Sequence, residues 1–64
     1  MIDYSPLWET MRRRQVTQYQ LLKRGIDNKT LDALMKNKNI TLLTLEKLCD
    51  ILDCTPNEVV AFPK

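Results

Sequence analysis

The sequence contains no histidine and only one glycine. Without histidine it lacks the most common general base and metal ligand of proteins. It also shows no serine with a partner base, no glycine-rich phosphate loop and no pair of carboxylates suited to catalysis. A single glycine argues against a turn-rich sheet protein. We therefore expect a protein that is not an enzyme and that has no cofactor.

Long apolar runs are also absent. No segment approaches the roughly 18 residues that a membrane span requires, and the N-terminus lacks the basic start and apolar stretch of a signal peptide. We expect a cytoplasmic protein with no membrane partner. Residues 1–64 are predicted to form a single domain, and a domain of this length buries only about 60% of its unfolded surface, so no large ligand pocket is expected.

The two cysteines, Cys49 and Cys54, lie five positions apart. No histidine or third cysteine is present to complete a metal site. We predict two reduced thiols and no metal, because free cysteine behaves largely as a small buried hydrophobe.

The net charge is only +2, but the charges are unevenly distributed. Residues 10–40 hold eight basic and two acidic side chains, a net charge of +6, whereas the segments on either side each carry −2. This asymmetry is expected of a surface that binds phosphates, although a solvated basic face would look the same.

Helix signals divide the chain into short elements. Ser5 and Pro6 predict the start of helix 1, with Ser5 as the cap, and the helix should run to about Arg14. Before it, Ile2 and Tyr4 alternate as in a short extended arm. The apolar face of helix 1 is predicted to comprise Leu7, Trp8 and Met11.

The next two helices are predicted on either side of the only glycine. Thr17 and Gln20 form a capping box that begins helix 2, which should span about residues 18–24. Gly25 lies where this helix must stop and turn, and Ile26 is expected to fill the angle between the helices. Asp27 is a natural cap for helix 3. The core face of helix 3 is predicted to comprise Leu31, Leu34 and Met35.

Two more helices complete the prediction. Thr41 can cap helix 4, whose apolar stripe comprises Leu45, Leu48, Cys49 and Leu52. The segment Thr55-Pro56-Asn57-Glu58 combines a capping threonine, a proline and a glutamate, and it predicts a short helix 5. After it, Val59, Val60 and Phe62 are expected to close the core. The predicted fold is all-α, with five short helices.

This layout resembles the Cro/C1-type helix-turn-helix family of small bacterial or phage transcriptional regulators. The resemblance covers most of the chain and rests on Thr17-Gln18, Leu21, Gly25-Ile26, Thr30-Leu31, Leu34 and the segment from Leu45 to Pro56. It implies a lambda-repressor-like domain with the helix-turn-helix at helices 2 and 3. Gly25 lies four positions after Leu21, where many members have five, and this spacing predicts a tighter turn or an early end of helix 2.

The family resemblance implies binding to double-stranded DNA, with helix 3 in the major groove. Asn28 and Lys29 match the positions that read base edges: an Asn amide can pair with adenine, and a Lys ammonium can donate to guanine. Ala33 could contact a thymine methyl group, and Gln18 matches a phosphate-binding position. The candidate DNA-binding residues are Gln18, Asp27, Asn28, Lys29, Thr30, Asp32, Ala33, Lys36, Lys38 and Asn39.

Several of these residues also have a plainer interpretation. Gln18 and Lys29 can be solvated helix residues, and Lys36 and Lys38 can simply keep a loop soluble. Phosphates would repel Asp27 and Asp32, although Asp27 can direct its charge at helix N–H groups. Asp32 can accept from a cytosine amine or lie beside the groove.

Two further expectations concern partners. We expect a homodimer on a palindromic site whose halves lie about 34 Å apart. Two regions are candidates for the dimer interface: the segment with Val59, Val60 and Phe62, and the arm with Ile2 and Tyr4. The alternative function is a protein-interaction module of the same fold, antitoxin-like or anti-repressor, which would expose an apolar patch on helix 3 instead of a basic face.

Overall fold

The computed structural model describes residues 1–63. Its four α-helices and one 3-10 turn are α1 (Ser5–Arg14), α2 (Gln18–Lys23), α3 (Asn28–Met35), α4 (Leu42–Leu52) and the 3-10 turn Pro56–Glu58. These 63 residues contain no strand, and one isolated antiparallel bridge joins Asp3 to Ala61. The all-α prediction is confirmed. The predicted helix 5 is a single 3-10 turn, because the chain becomes extended after Val59 to form this bridge.

The starts of α2, α3 and α4 follow the predicted capping chemistry, with Thr17, Asp27 and Thr41 as caps. The start of α1 does not. Ser5 is already helical, and its N–H donates to the Asp3 carboxylate over 2.9 Å. The prediction that Ser5 caps α1 is therefore wrong. Tyr4 occupies the cap position without a side-chain hydrogen bond, and the Asp3 carboxylate, one residue before it, accepts the Ser5 N–H instead.

All four α-helices end in the same backbone motif. Each is followed by one residue with positive φ, and these residues are Gln15, Gly25, Asn37 and Asp53. The N–H of the next residue then donates to the carbonyl five positions back, as in a Schellman motif. Sequence reasoning identified only the end at Gly25, because glycine adopts positive φ without steric cost and is the recognisable signal.

The turn between α2 and α3 closes tightly. Gly25 has a φ of 106°, and the N–H of Ile26 donates to the Leu21 carbonyl over 3.0 Å. Ile26 is buried between the helices, as predicted. With only six residues, α2 is short, which agrees with the early end that the spacing from Leu21 to Gly25 predicted.

The core is built from one or two apolar side chains of each α-helix, together with residues of the N-terminal arm, the α2–α3 turn and the segment after the 3-10 turn. The buried apolar residues are Tyr4, Leu7, Met11, Leu21, Ile26, Leu31, Leu34, Leu48, Leu52 and Val59. Thr10 is buried among them and donates to the Glu58 carbonyl over 2.7 Å, so α1 and the 3-10 turn are joined by a satisfied polar contact.

Two predicted core residues are instead exposed. Met35 is 59% exposed, because the partly covered flank of α3 is the opposite one, where Thr30 lies beside Thr44 of α4. Phe62 is 68% exposed. It follows Ala61 in the bridging segment, and residues alternate sides in extended chain, so Phe62 lies with Val60 along a surface groove and not in the core.

Tyr4 connects the N-terminal arm to the loop after α3. Its hydroxyl donates to the Lys38 carbonyl over 2.6 Å, and its N–H donates to Oδ1 of Asn37 over 3.0 Å. The arm is thus bound at Asp3 by the C-terminal segment and at Tyr4 by the loop. A predicted extended arm is present, but Tyr4 itself is a buried core residue.

Candidate nucleic-acid interface

The outward side of α3 is polar and its inward side is apolar. Leu31 and Leu34 are buried against the rest of the domain, which fixes the orientation of the helix. At 3.6 residues per turn, the side opposite these leucines comprises a set that we call the reading face: Asn28, Lys29, Asp32, Ala33 and Lys36. All of them are exposed except Ala33, which is partly covered.

A shallow depression joins α3 to the loop that follows it. Its lining includes Lys29, Thr30 and Ala33 from α3 together with Asn39 from the loop. Ile40, Thr41 and Thr44 complete it at the start of α4. The structure therefore brings together four of the predicted DNA-binding residues around one concave surface.

The loop from Asn37 to Asn39 has a fixed backbone. Asn37 adopts positive φ, and the N–H of Lys38 donates to the Ala33 carbonyl over 2.8 Å. The Lys38 carbonyl accepts the hydroxyl proton of Tyr4. The Lys38 and Asn39 side chains are exposed beyond the end of α3. Asn37 thus ends α3 and accepts the hydrogen bond from the arm, two roles that the sequence analysis did not identify.

Each acidic residue of the helix-turn-helix has a local partner. Asp27 accepts from the Thr30 N–H over 2.7 Å. Hydrogen bonding to Thr30, from its side chain first and its N–H second, holds the pKa of Asp27 below its usual range, with smaller effects from Lys29 and Lys47. Asp32 lies 3.2 Å from the Lys36 ammonium, one turn along α3. Neither carboxylate is therefore an isolated negative charge on the side where phosphates would approach.

Gln18 and Asn28 occupy the first positions of α2 and α3, and both are exposed. Gln18 lies outside the depression and directly follows the Thr17 cap. Its side chain is thus free for a partner at the start of α2, but the structure does not place it with the residues around Lys29.

The three consecutive arginines of α1 interact elsewhere. Arg12 pairs with Glu9, Arg13 lies 3.6 Å from Glu58, and Arg14 donates to the Asp53 carbonyl over 3.0 Å. These interactions lie within α1 or join it to the 3-10 turn and to the end of α4. The charge of +6 counted over residues 10–40 therefore overstates the charge available near α3.

Both cysteines are half-buried free thiols. Burial raises the pKa of Cys49, and it raises the pKa of Cys54 to about 11. A thiol with so high a pKa is almost entirely protonated at neutral pH and is a poor nucleophile. Within residues 1–63 there is no cluster of three side chains suited to a metal ion. The same residues include no helix long and apolar enough to span a membrane.

Comparison with known proteins agrees with this architecture. The family model of the Cro/C1-type HTH DNA-binding domain matches residues 6–64, and the chain belongs to that family. Among solved structures, it is similar to the crystal structure of the transcriptional regulator VanUg, with 26% identity and a TM-score of 0.88. The match covers 98% of this chain and 87% of the other. A search of curated proteins found no match.

Proposed function

We propose that this domain binds double-stranded DNA sequence-specifically as a transcriptional regulator, with α3 in the major groove. The observation that carries the proposal is the reading face, a polar and exposed helix surface backed by the buried Leu31 and Leu34. The major groove of B-DNA admits one such helix. Family membership and the similarity to a transcriptional regulator support the same assignment.

Base recognition is assigned to the N-terminal part of α3. Asn28 and Lys29 are exposed in its first turn, and Lys29 forms no ion pair with another described residue. Lys29 can donate to guanine O6 or N7 and Asn28 can pair with adenine, each contact giving about 1–3 kcal/mol of discrimination. Ala33, one turn later, is small enough for contact with a thymine methyl group.

Phosphate binding is assigned to the edges of the same surface. Gln18, Lys38 and Asn39 are exposed polar residues at the start of α2 and in the loop after α3. Lys36 is paired with Asp32, but exposed ion pairs contribute only about 0–1 kcal/mol, so a phosphate can replace the carboxylate at little cost.

The reading face distinguishes this proposal from a protein-interaction module. Such a module would expose an apolar patch in its place, whereas Lys29, Asp32 and Lys36 occupy the outward side of α3. We therefore favour DNA as the partner. A single domain formed by residues 1–64 would contact few bases, so we propose that two copies bind a palindromic site with halves about 34 Å apart.

The proposal is tested by the affinity for labelled mixed-sequence duplexes, measured by fluorescence anisotropy. Phosphate contacts predict a steep loss of affinity as salt is raised from about 50 to about 200 mM. Lys38→Ala should weaken binding to all sequences alike and reduce the salt slope by about one. Arg12→Ala removes the same charge from α1 and is the matched control, expected to have a smaller effect. No binding to any duplex at low salt would refute the proposal.

A further inference from the structure

The end of α4 brings the two thiols of the chain together. Cys49 lies in the last turn of this helix, and Cys54 is the second residue after it. Between them Asp53 adopts a φ of 50°, so the chain turns back and the N–H of Cys54 donates to the Cys49 carbonyl over 3.0 Å. The two side chains joined by this hydrogen bond commonly contact each other in such a helix end.

The equivalent positions at the first two helix ends hold apolar pairs. Met11 and Val16 are joined by the same backbone hydrogen bond after α1, and Leu21 and Ile26 after α2. All four side chains belong to the core or pack against it. The motif that pairs apolar groups at these ends therefore pairs two cysteines at the end of α4.

The two thiols are free and lie close to each other. Each contributes to the pKa shift of the other through a direct hydrogen bond between the side chains. Both pack against the core, yet both are only half-buried, so a small reagent can reach them. The folded state therefore holds two accessible sulfur atoms near each other.

We propose that Cys49 and Cys54 form a site of reversible disulfide formation, with a low-molecular-weight disulfide such as oxidised glutathione as the oxidant. One cysteine, as its thiolate, attacks a sulfur of the reagent, whose S–S bond breaks and releases one thiolate. The other cysteine then attacks the protein sulfur of this mixed disulfide and releases the second thiolate. Each cysteine loses one proton, and the reagent takes up two electrons and two protons to become two thiols.

Burial makes this exchange slow. It raises the pKa of Cys49, and it raises the pKa of Cys54 to about 11, so little thiolate is present at neutral pH. A thiol of high pKa is also a poor leaving group, so the disulfide, once formed, opens slowly. In a reducing compartment the expected state is the reduced pair predicted from the sequence, and the site responds to sustained oxidation.

Folding should favour the disulfide. In the unfolded chain the two cysteines must first be brought together at a cost in chain entropy, whereas the end of α4 already holds them together. By linkage, the disulfide stabilises the fold by the same factor. The inference does not depend on DNA binding, because neither cysteine belongs to the reading face or to the depression beside Lys29.

The test is the equilibrium constant for disulfide formation in glutathione buffers. It is measured by mass spectrometry of acid-quenched samples, once for the folded protein and once for the protein unfolded in urea. We expect a constant about tenfold or more larger in the folded state, because the entropic cost of closing the loop is absent there. A constant no larger than in urea, or products limited to glutathione adducts and disulfides between two chains, would overturn the proposal.

Thermal unfolding gives a second measurement. The oxidised wild-type protein should melt about 5–10 °C above the reduced protein. Cys49→Ser and Cys54→Ser each retain one thiol and are the matched controls. Both should stop at a glutathione adduct and show no such gain. An oxidised wild-type protein that melts at or below the temperature of the reduced protein would contradict the proposal. DNA binding is measured on the reduced protein, so either proposal can fail without the other.

Discussion

The reading face and the apolar groove share a border but have opposite chemistry. The reading face presents an asparagine and two lysines, one of which is paired with an aspartate. The apolar groove lies between the N-terminal arm, the start of α4 and the C-terminal segment. Its lining contains no charged residue and includes Ile2, Ile40, Leu42, Leu45, Val60 and Phe62. The groove and the depression beside Lys29 share Asn39, Ile40 and Thr41 in their linings. The charged surface is suited to bind a polyanion such as DNA, whereas the uncharged groove is not.

The border itself is fixed by hydrogen bonds from the arm. Tyr4 binds both Asn37 and the Lys38 carbonyl, and it also lines the groove. The backbone of the α3–α4 loop is thus held from the groove side, while its Lys38 and Asn39 side chains are exposed beside α3. Substitution of Tyr4 should therefore affect both surfaces, whereas substitution of a residue on one surface should affect only that surface.

The largest effect is expected at Tyr4. Tyr4→Ala should lower the free energy of unfolding by about 3–5 kcal/mol, because it removes a buried aromatic ring. Tyr4→Phe should cost about 1 kcal/mol, because only the hydrogen bond to Lys38 is lost. Urea unfolding measures both values, and the Phe variant gives a graded result if the Ala variant does not fold. A Tyr4→Phe variant as stable as the wild type would show that this contact does not fix the loop.

Lys29→Ala should affect the reading face alone. We expect it to reduce discrimination between a selected DNA site and a mixed sequence by about 1–3 kcal/mol, because one base contact is lost. The free energy of unfolding should stay nearly unchanged, because Lys29 is exposed and forms no ion pair with another described residue. Competition binding measures the discrimination, and urea unfolding measures the stability. Equal losses for both DNA sequences would mean that Lys29 binds phosphate and not a base.

Gln15→Gly should stabilise the domain while leaving both surfaces unchanged. Gln15 has a φ of 57° at the exposed end of α1, a conformation that costs a residue with a side chain about 1–2 kcal/mol. Part of this gain is lost to the greater freedom of glycine in the unfolded chain, so a net gain of about 0.5–1 kcal/mol is expected. Gly25→Ala, with a φ of 106° in the wild type, is the opposite control and should destabilise. A lower melting temperature for Gln15→Gly would contradict this view of the helix ends.

The smallest expected effect is on the stability of the fold at acidic pH. Because its folded-state pKa is lowered, the Asp27 carboxylate stabilises the fold above its unfolded pKa, and this contribution is lost as the pH falls through the folded value. Asp27→Asn keeps a good cap without the charge. Its stability should therefore fall less than that of the wild type between about pH 5 and pH 3. If the melting temperatures of the wild type and of Asp27→Asn fall equally over this pH range, Asp27 contributes nothing to the acid sensitivity of α3.

Local signals made most of the fold predictable. Capping residues such as Thr17, Asp27 and Thr41 act on N–H groups within the next turn, so sequence spacing is sufficient to identify them. The positive φ of Gln15 could not be predicted in this way, because glutamine does not signal that conformation. Aspartate adopts it more often than most residues, but Asp53 alone is a much weaker signal than a glycine. The exposure of Met35 and Phe62 depends on where other elements pack, which no local pattern contains.

The candidate site was predictable to a similar depth. The reading face follows from the periodicity of Leu31 and Leu34, and the sequence identified its residues together with the cap at Asp27. The pairing of Asp32 with Lys36 and the role of Asn37 emerged only from the structure. The apolar groove was also hidden, because its residues come from both ends of the chain and from α4, and they meet only after folding.

The central claim is that DNA binds the reading face and not the groove. It is tested most directly by titrating the ¹⁵N-labelled protein with a mixed-sequence duplex at about 50 mM salt, where phosphate contacts are strong. We predict NMR shifts at Gln18, Asn28, Lys29 and Asn39 that reverse when salt is raised. Shifts confined to Leu45, Val60 and Phe62, or no shifts at all, would contradict the account.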